Sequence, residues 1–267
     1  MDKERAAAYL KRIGAAWPSV PDADALRELH LRHLRAVPFE NLSIHLGEDI
    51  VLTPDALVDK IVGAGRGGFC YELNGAFADL LRTLGYEVDL LAARVPDDDG
   101  RLGPPYDHLA LRVVTADGAR LLADVGFGRH SHHPLAYDAR AEQPDPGGVF
   151  RLADTPEGDT DVLLDGRPQY RFEQRPRVLG DFEATCWWHR TCPASHFRQS
   201  PVCSLLTADG RVTLSDRTLV RTAGGDRTER TLDEAEVLPA YRELFGITLE
   251  RAPAVAPLTP PTPGGAR

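Results

Sequence analysis

A cysteine becomes a nucleophile as its thiolate, and of the four cysteines in this chain Cys70 has a setting for that chemistry. It follows the loop Gly65-Arg66-Gly67-Gly68. It also opens a run in which Leu73, Phe77, Leu80, Leu81 and Leu84 recur at helical spacing until Gly85, the expected C′ residue. The unpaired amides of a helix N-terminus favour negative charge and lower a thiol pKa. Gly67 and Gly68 let the loop turn sharply and present its amides to the oxyanion of an acyl-transfer intermediate. A lone cysteine at a helix start is more often a packed residue, so partners have to decide.

A base and an acceptor that orients it are those partners. His108 begins a segment whose apolar face is Leu109, Leu111 and Val113, so its side chain points to the other face of a strand. Asp124 ends the next apolar segment, Leu121-Leu122-Ala123. The turn Thr115-Ala116-Asp117-Gly118 between them sets the register. A three-residue loop, Ala116 to Gly118 with Gly118 left-handed, sets Ala110 opposite Asp124 and makes His108 its diagonal neighbour. A two-residue loop separates them. The acid–base requirement favours the three-residue form. Singly, His108 reads as a polar strand-end residue and Asp124 as a turn cap.

Around these residues the first third reads as helices. Tyr9, Leu10 and Ile13 end at Gly14, and Leu26, Leu29, His30, His33 and Leu34 follow Asp22 and Asp24. Thr53-Pro54-Asp55 starts a third helix, with Leu57 and Ile61 on one face and a stop near Gly63. After Gly85 the period changes to two, marking a β region through Val88, Leu90 and Ala92. Residues 139–161 read as a polar loop. A hairpin around Thr207-Ala208-Asp209-Gly210 and a helix carrying Leu238, Tyr241, Leu244 and Phe245 follow, and residues 252–267 have the composition of a disordered tail.

With 267 residues, 42% of them hydrophobic, the chain can bury a large core. A formal charge of −9 argues against nucleic acid, because no basic stripe is available to displace phosphate counterions. The N-terminus lacks an apolar signal core and no stretch has the length to cross a bilayer, so no membrane partner and a cytoplasmic protein with reduced thiols are expected.

The string Arg66-Gly67-Gly68-Phe69-Cys70-Tyr71-Glu72-Leu73-Asn74 resembles the active-site signature of arylamine N-acetyltransferases. Val37-Pro38-Phe39-Glu40-Asn41-Leu42, His108-Leu109 and Asp124-Val125-Gly126-Phe127-Gly128 extend the resemblance in family order. Pro193-Ala194-Ser195-His196-Phe197 and Phe245-Gly246-Ile247 carry it more weakly through the last third. The resemblance implies an α+β fold with three parts and a tail. They are a helical bundle (1–85), a β-barrel-like domain (86–190), an α/β lid (191–251) and the tail (252–267), around a papain/transglutaminase-like Cys-His-Asp core. It implies ping-pong acetyl transfer from acetyl-CoA through Cys70 to an arylamine, arylhydroxylamine or hydrazine. His108 is then the base, Asp124 its orienting acceptor and the Cys70 amide the candidate oxyanion donor. No permanently bound cofactor or metal is implied. Phe39, Phe127 and Phe197 become candidate acceptor-pocket residues, and Gly126, Phe127 and Gly128 candidates for the approach of the cofactor's pantetheine or pyrophosphate; ordinary core packing is the competing reading for each phenylalanine.

Two other readings compete. An amide synthase of the same family takes its acyl group from an acyl carrier protein and closes a macrolactam with the same three residues; fold alone does not choose between substrates. Alternatively Cys186, His189, Cys192, His196 and Cys203 could serve a zinc-binding module, although their spacing matches no usual finger and Trp187, Trp188 and Phe197 point to a packed strand or loop. His130, His132 and His133 read as a solvated loop.

Overall fold

The computed structural model of the protein describes residues 1–255. Helix α1 (Lys3–Ile13) starts where the Asp2 carboxylate accepts the Arg5 amide at 2.8 Å and stops at Gly14, whose φ of 66° ends the helical turn. Asp22 caps α2 (Ala23–Ala36) through the Ala25 amide in the same way. The first third is not wholly helical, however. Phe39–Glu40 form a two-residue strand, β1, whose partner lies more than 160 residues away, a pairing no local pattern announces. Next come α3 (Leu42–Leu46) and α4 (Pro54–Val58), the latter running into a wide π-helical turn over Asp59–Gly63. Helix α5 (Cys70–Thr83) ends before Gly85, at φ 99°.

Eight antiparallel strands form a nearly closed, barrel-like sheet: β2 (Glu87–Arg94), β3 (His108–Val114), β4 (Arg120–Ala123), β5 (Leu135–Ala136), β6 (Gln143–Asp145), β7 (Gly148–Asp154), β8 (Thr160–Leu164) and β9 (Arg167–Arg177). Their order is β5-β4-β3-β2-β9-β8-β7-β6. The Gln143 side chain bonds both the amide and the carbonyl of Ala136, at 2.7 and 3.1 Å, and so joins the two edge strands. Residues 139–161, expected to be loop, therefore include β6, β7 and the start of β8. Pro144 sits on β6, a three-residue edge strand, and β7, which lies between β6 and β8, buries only Phe150 and Leu152, so little alternation shows.

Strands β2 and β3 divide their residues between two cores. Leu90, Ala92, Leu109, Leu111 and Val113 pack against Leu73, Ala76, Phe77, Leu80 and Leu81 of α5. Leu91, Ala93 and Ala110 face the barrel interior with Phe150, Leu152, Val162 and Phe172. Each fully buried Leu or Phe contributes about 1.5–3 kcal/mol, so the two faces cannot exchange, and His108 is committed to the interior side.

Helix α6 (Glu183–Thr191) follows the barrel; the Trp187-Trp188 segment, expected as strand or loop, is thus helical, with Cys186 and His189 on its buried face. A second sheet has the order β1-β10-β11-β12-β13, with β10 (Val202–Leu206), β11 (Gly210–Ser215), β12 (Thr218–Ala223) and β13 (Asp226–Thr231). One face, through Cys203, Val212, Leu214 and Leu219, packs on Val237, Tyr241 and Phe245 of α7 (Glu234–Phe245). From residue 256 on, the expected tail lies outside the described residues. No helix among the described residues is long and apolar enough to cross a membrane.

Candidate active site

Cys70 stands at the first position of α5, and close packing dictates the residues before it. A Cβ on Gly67 would lie 1.9 Å from the Pro38 carbonyl oxygen, and one on Gly68 would lie 2.7 Å from a Glu72 carboxylate oxygen. That carboxylate accepts the Phe69 amide at 3.2 Å and pairs with Lys60 Nζ at 2.6 Å. Glu40, fully buried, pairs with Arg66 at 2.9 Å and accepts the Leu42 amide at 2.7 Å. The buried charges before and after Cys70 are thus each paired and hydrogen-bonded, the condition for burying them at tolerable cost.

The expected register between β3 and β4 is present. Leu111 faces Ala123, which puts Ala110 level with Asp124, and Gly118 has φ 84°. His108 Nε2 lies 2.7 Å from Asp124 Oδ2, and both side chains are buried. The other carboxylate oxygen accepts Asn74 Nδ2 and the Gly126 amide, each at 2.9 Å. Asn74, one helical turn after Cys70, also donates to the Leu109 carbonyl at 2.6 Å and accepts the Val125 amide at 2.9 Å. One side chain therefore ties the cysteine's helix to the strand of the histidine and the loop of the aspartate. From the third side, His30 Nε2 accepts the Asp124 amide at 3.2 Å, which leaves its Nδ1–H to donate to the His132 carbonyl at 2.9 Å.

Electrostatics follow from this packing. Burial works to raise the Asp124 carboxyl, but the His108 ring and its hydrogen bond outweigh it and hold the group well below the usual carboxylate range. With the carboxylate fixed on Nε2–H, His108 has Nδ1 as the nitrogen able to take a proton. Burial pushes the Cys70 thiol well up, against the pull of a hydrogen bond with the Leu109 backbone. The lowering expected from a helix start is therefore outweighed in the resting site. A buried thiol needs a base at hand to ionise.

The three candidate phenylalanines form two groups. Phe127 packs edge-on to His108 at 5.1 Å between ring centroids and joins Tyr170 and His130 inside the barrel. Phe39 and Phe197 are 6.3 Å apart, with Phe197 against Phe69 at 5.2 Å. All three are partly buried rather than sealed in the core. Gly126 meets the protein itself, since a Cβ there would lie 2.7 Å from Cys70 Cα; Gly128 has φ 86° and borders the Phe39 ring. His130 departs from the solvated-loop expectation: it is buried against Phe150 and Tyr170, and burial lowers its pKa to about 4. Among the described residues no three His, Cys, Asp or Glu side chains are grouped as metal ligands. His189 instead faces Asp107 at 3.2 Å and Ser195 Oγ at 3.2 Å.

In the sequence Asn74 carries no marked role, and His30 stands only on an apolar helix face. The i to i+4 spacing from Cys70 to Asn74 was the available signal; nothing local marks His30, whose partner is 94 residues away.

The sequence pattern of a family described as N-acetyltransferase matches residues 22–254. An arylamine N-acetyltransferase of Mycobacterium tuberculosis is 37% identical over 252 residues, covering 91% of this chain and 89% of the relative. The structure is similar to that of a Mycobacterium smegmatis arylamine N-acetyltransferase, with a TM-score of 0.84, 35% identity and 92% of each chain covered. It is also similar to that of the Mycobacterium marinum enzyme in complex with CoA, at a TM-score of 0.81 and 32% identity, over 90% of this chain and 92% of that one.

Proposed function

Because this chain belongs to the arylamine N-acetyltransferase family, we propose that it carries an acetyl group from acetyl-CoA to an arylamine, arylhydroxylamine or hydrazine on the sulfur of Cys70. The observation that carries this reading is the 2.7 Å bond from His108 to Asp124, locked by Asn74 onto the helix that begins at Cys70. His108 Nδ1 accepts the thiol proton, and Asp124 stabilises the resulting imidazolium. The thiolate attacks the thioester carbonyl, and the tetrahedral oxyanion is met by the Cys70 amide at the start of α5. Collapse expels coenzyme A thiolate, which takes the proton from His108. The amine then attacks the acetyl-cysteine, His108 receives the amine proton, and the thiolate of Cys70 departs to recover it.

Phe39, Phe127 and Phe197 are assigned to the aromatic acceptor, and Gly128 to the donor's approach. Gly126 is assigned instead to the packing of its loop on Cys70. Acetyl-CoA as donor and four free thiols support a cytoplasmic setting. Two-substrate kinetics test the scheme. Double-reciprocal lines for acetyl-CoA at several arylamine concentrations run parallel if coenzyme A leaves first. Intersecting lines contradict an acyl-cysteine intermediate, and a folded enzyme inactive with acetyl-CoA points to a carrier-borne acyl group.

A further inference from the structure

The face of the second sheet turned away from α7 carries a polar row. Ser204 and Thr213, opposite each other on β10 and β11, bond through their hydroxyls at 2.8 Å, and Arg211 Nη1 donates to Ser204 Oγ at 3.1 Å. Ser204 is also the register partner of Phe39, whose ring lies 3.8 Å from where a Gly128 Cβ would stand. This row therefore adjoins the glycine loop after Asp124. Arg129, the next residue of that loop, lies near Arg211; Arg211 and Arg35, in the last turn of α2, both bear on His132. Arg211 is half-buried, Arg129 and Arg35 are exposed, and among the described residues none of the three has a carboxylate partner. The acid nearby, Asp145, is engaged by the backbone amides of His132, His133 and Gly147 at 2.8, 3.1 and 2.7 Å.

A guanidinium withdrawn from water beside a second one is uncompensated as it stands. Burial first, and the charge of Arg129 second, push the Arg211 pKa down to about 10. We propose that Arg211, held by Ser204 and seconded by Arg129 and Arg35, binds an anionic oxygen group of a substrate: a phosphate of the acyl-CoA donor or a carboxylate on the aromatic amine. The inference rests on the acetyl-transfer reading and adds the residues that recognise charge.

Two pairs of ligands test it. Coenzyme A and neutral pantetheine are titrated calorimetrically against the wild type and Arg211→Gln, and KM is measured for 4-aminobenzoate and for aniline. Arg211→Gln weakens one charged member by roughly ten-fold and leaves its neutral counterpart within about two-fold, the loss expected for a charge-assisted bond. Loss on coenzyme A assigns the donor, loss on 4-aminobenzoate the acceptor. Arg211→Lys restores part of the affinity. Arg129→Gln, at an exposed position, produces a smaller loss on the same ligand and keeps the test open if Arg211→Gln misfolds. Parallel changes in charged and neutral ligands, or none, overturn the inference. Acylation of Cys70 by a small neutral thioester separates the two claims: wild type that fails to acylate sinks the functional reading, whereas normal acylation with indifferent ligand pairs sinks only this one.

Discussion

At the scale of residues, the site is a hydrogen-bonding problem solved around one carboxylate. Asp124 accepts from His108, Asn74 and the Gly126 amide, and its own amide is taken by His30. Asp124→Asn keeps the shape but presents an N–H where His108 needs an acceptor or loses the stabilised imidazolium. A drop in kcat of roughly 10³–10⁴-fold with the thermal transition little changed is expected, and steady-state rates check it. The pairing of His108 with Asp124 was legible because a cysteine proposed as nucleophile calls for a base and the base for an acceptor, and that requirement, not the turn alone, chose the three-residue loop whose register the structure has. Asn74 and His30 escaped because their partners lie 50 and 94 residues away.

At the scale of elements, glycines allow helix and loops to approach. Gly126 presses its loop on the first residue of α5, where an added Cβ would lie 2.7 Å from both Cys70 Cα and Asn74 Nδ2. Gly126→Ala should cost about 1–3 kcal/mol of stability by overpacking and lower acetyl transfer through displacement of Cys70 from His108. Denaturant unfolding with kcat/KM measures both, and unchanged values would remove the argument from close approach. The helical first third and the change of period after Gly85 were readable from spacing alone. β1 was not, because it has two residues and a remote partner; nor were β6, a three-residue edge strand holding Pro144, and β7, whose alternation rests on Phe150 and Leu152 alone. Tryptophans on α6 misled because Trp187 is exposed, so the helix shows no clear apolar stripe.

At the scale of the whole molecule, buried histidines couple stability to pH. Burial lowers the pKa values of His30 and His130 to about 4 and that of His33 to about 3, from about 6.5 in the unfolded chain. The unfolded state then binds more protons between those values, so each contribution is complete above pH 6.5 and is lost as pH falls towards 4. Glu72, raised by burial, works the other way above pH 4.5. From pH 7 to pH 5 each histidine withdraws about 2 kcal/mol, and Tm should fall by more than about 5 °C in a calorimetric series. A flat Tm across that range would mean these rings are hydrated. Both cores and the barrel-like sheet meet at the site, so loss of this packing should carry activity with it.

The central claim is that the acetyl group rests on Cys70. Intact-protein and peptide mass spectrometry after brief exposure to acetyl-CoA without amine tests it most directly, with Cys70→Ser alongside. One acetyl group on the wild type, located at Cys70, removed by an arylamine and absent from the variant is the predicted result. An acetyl group that persists on Cys70→Ser, or an enzyme that turns over without ever carrying one, would contradict the account.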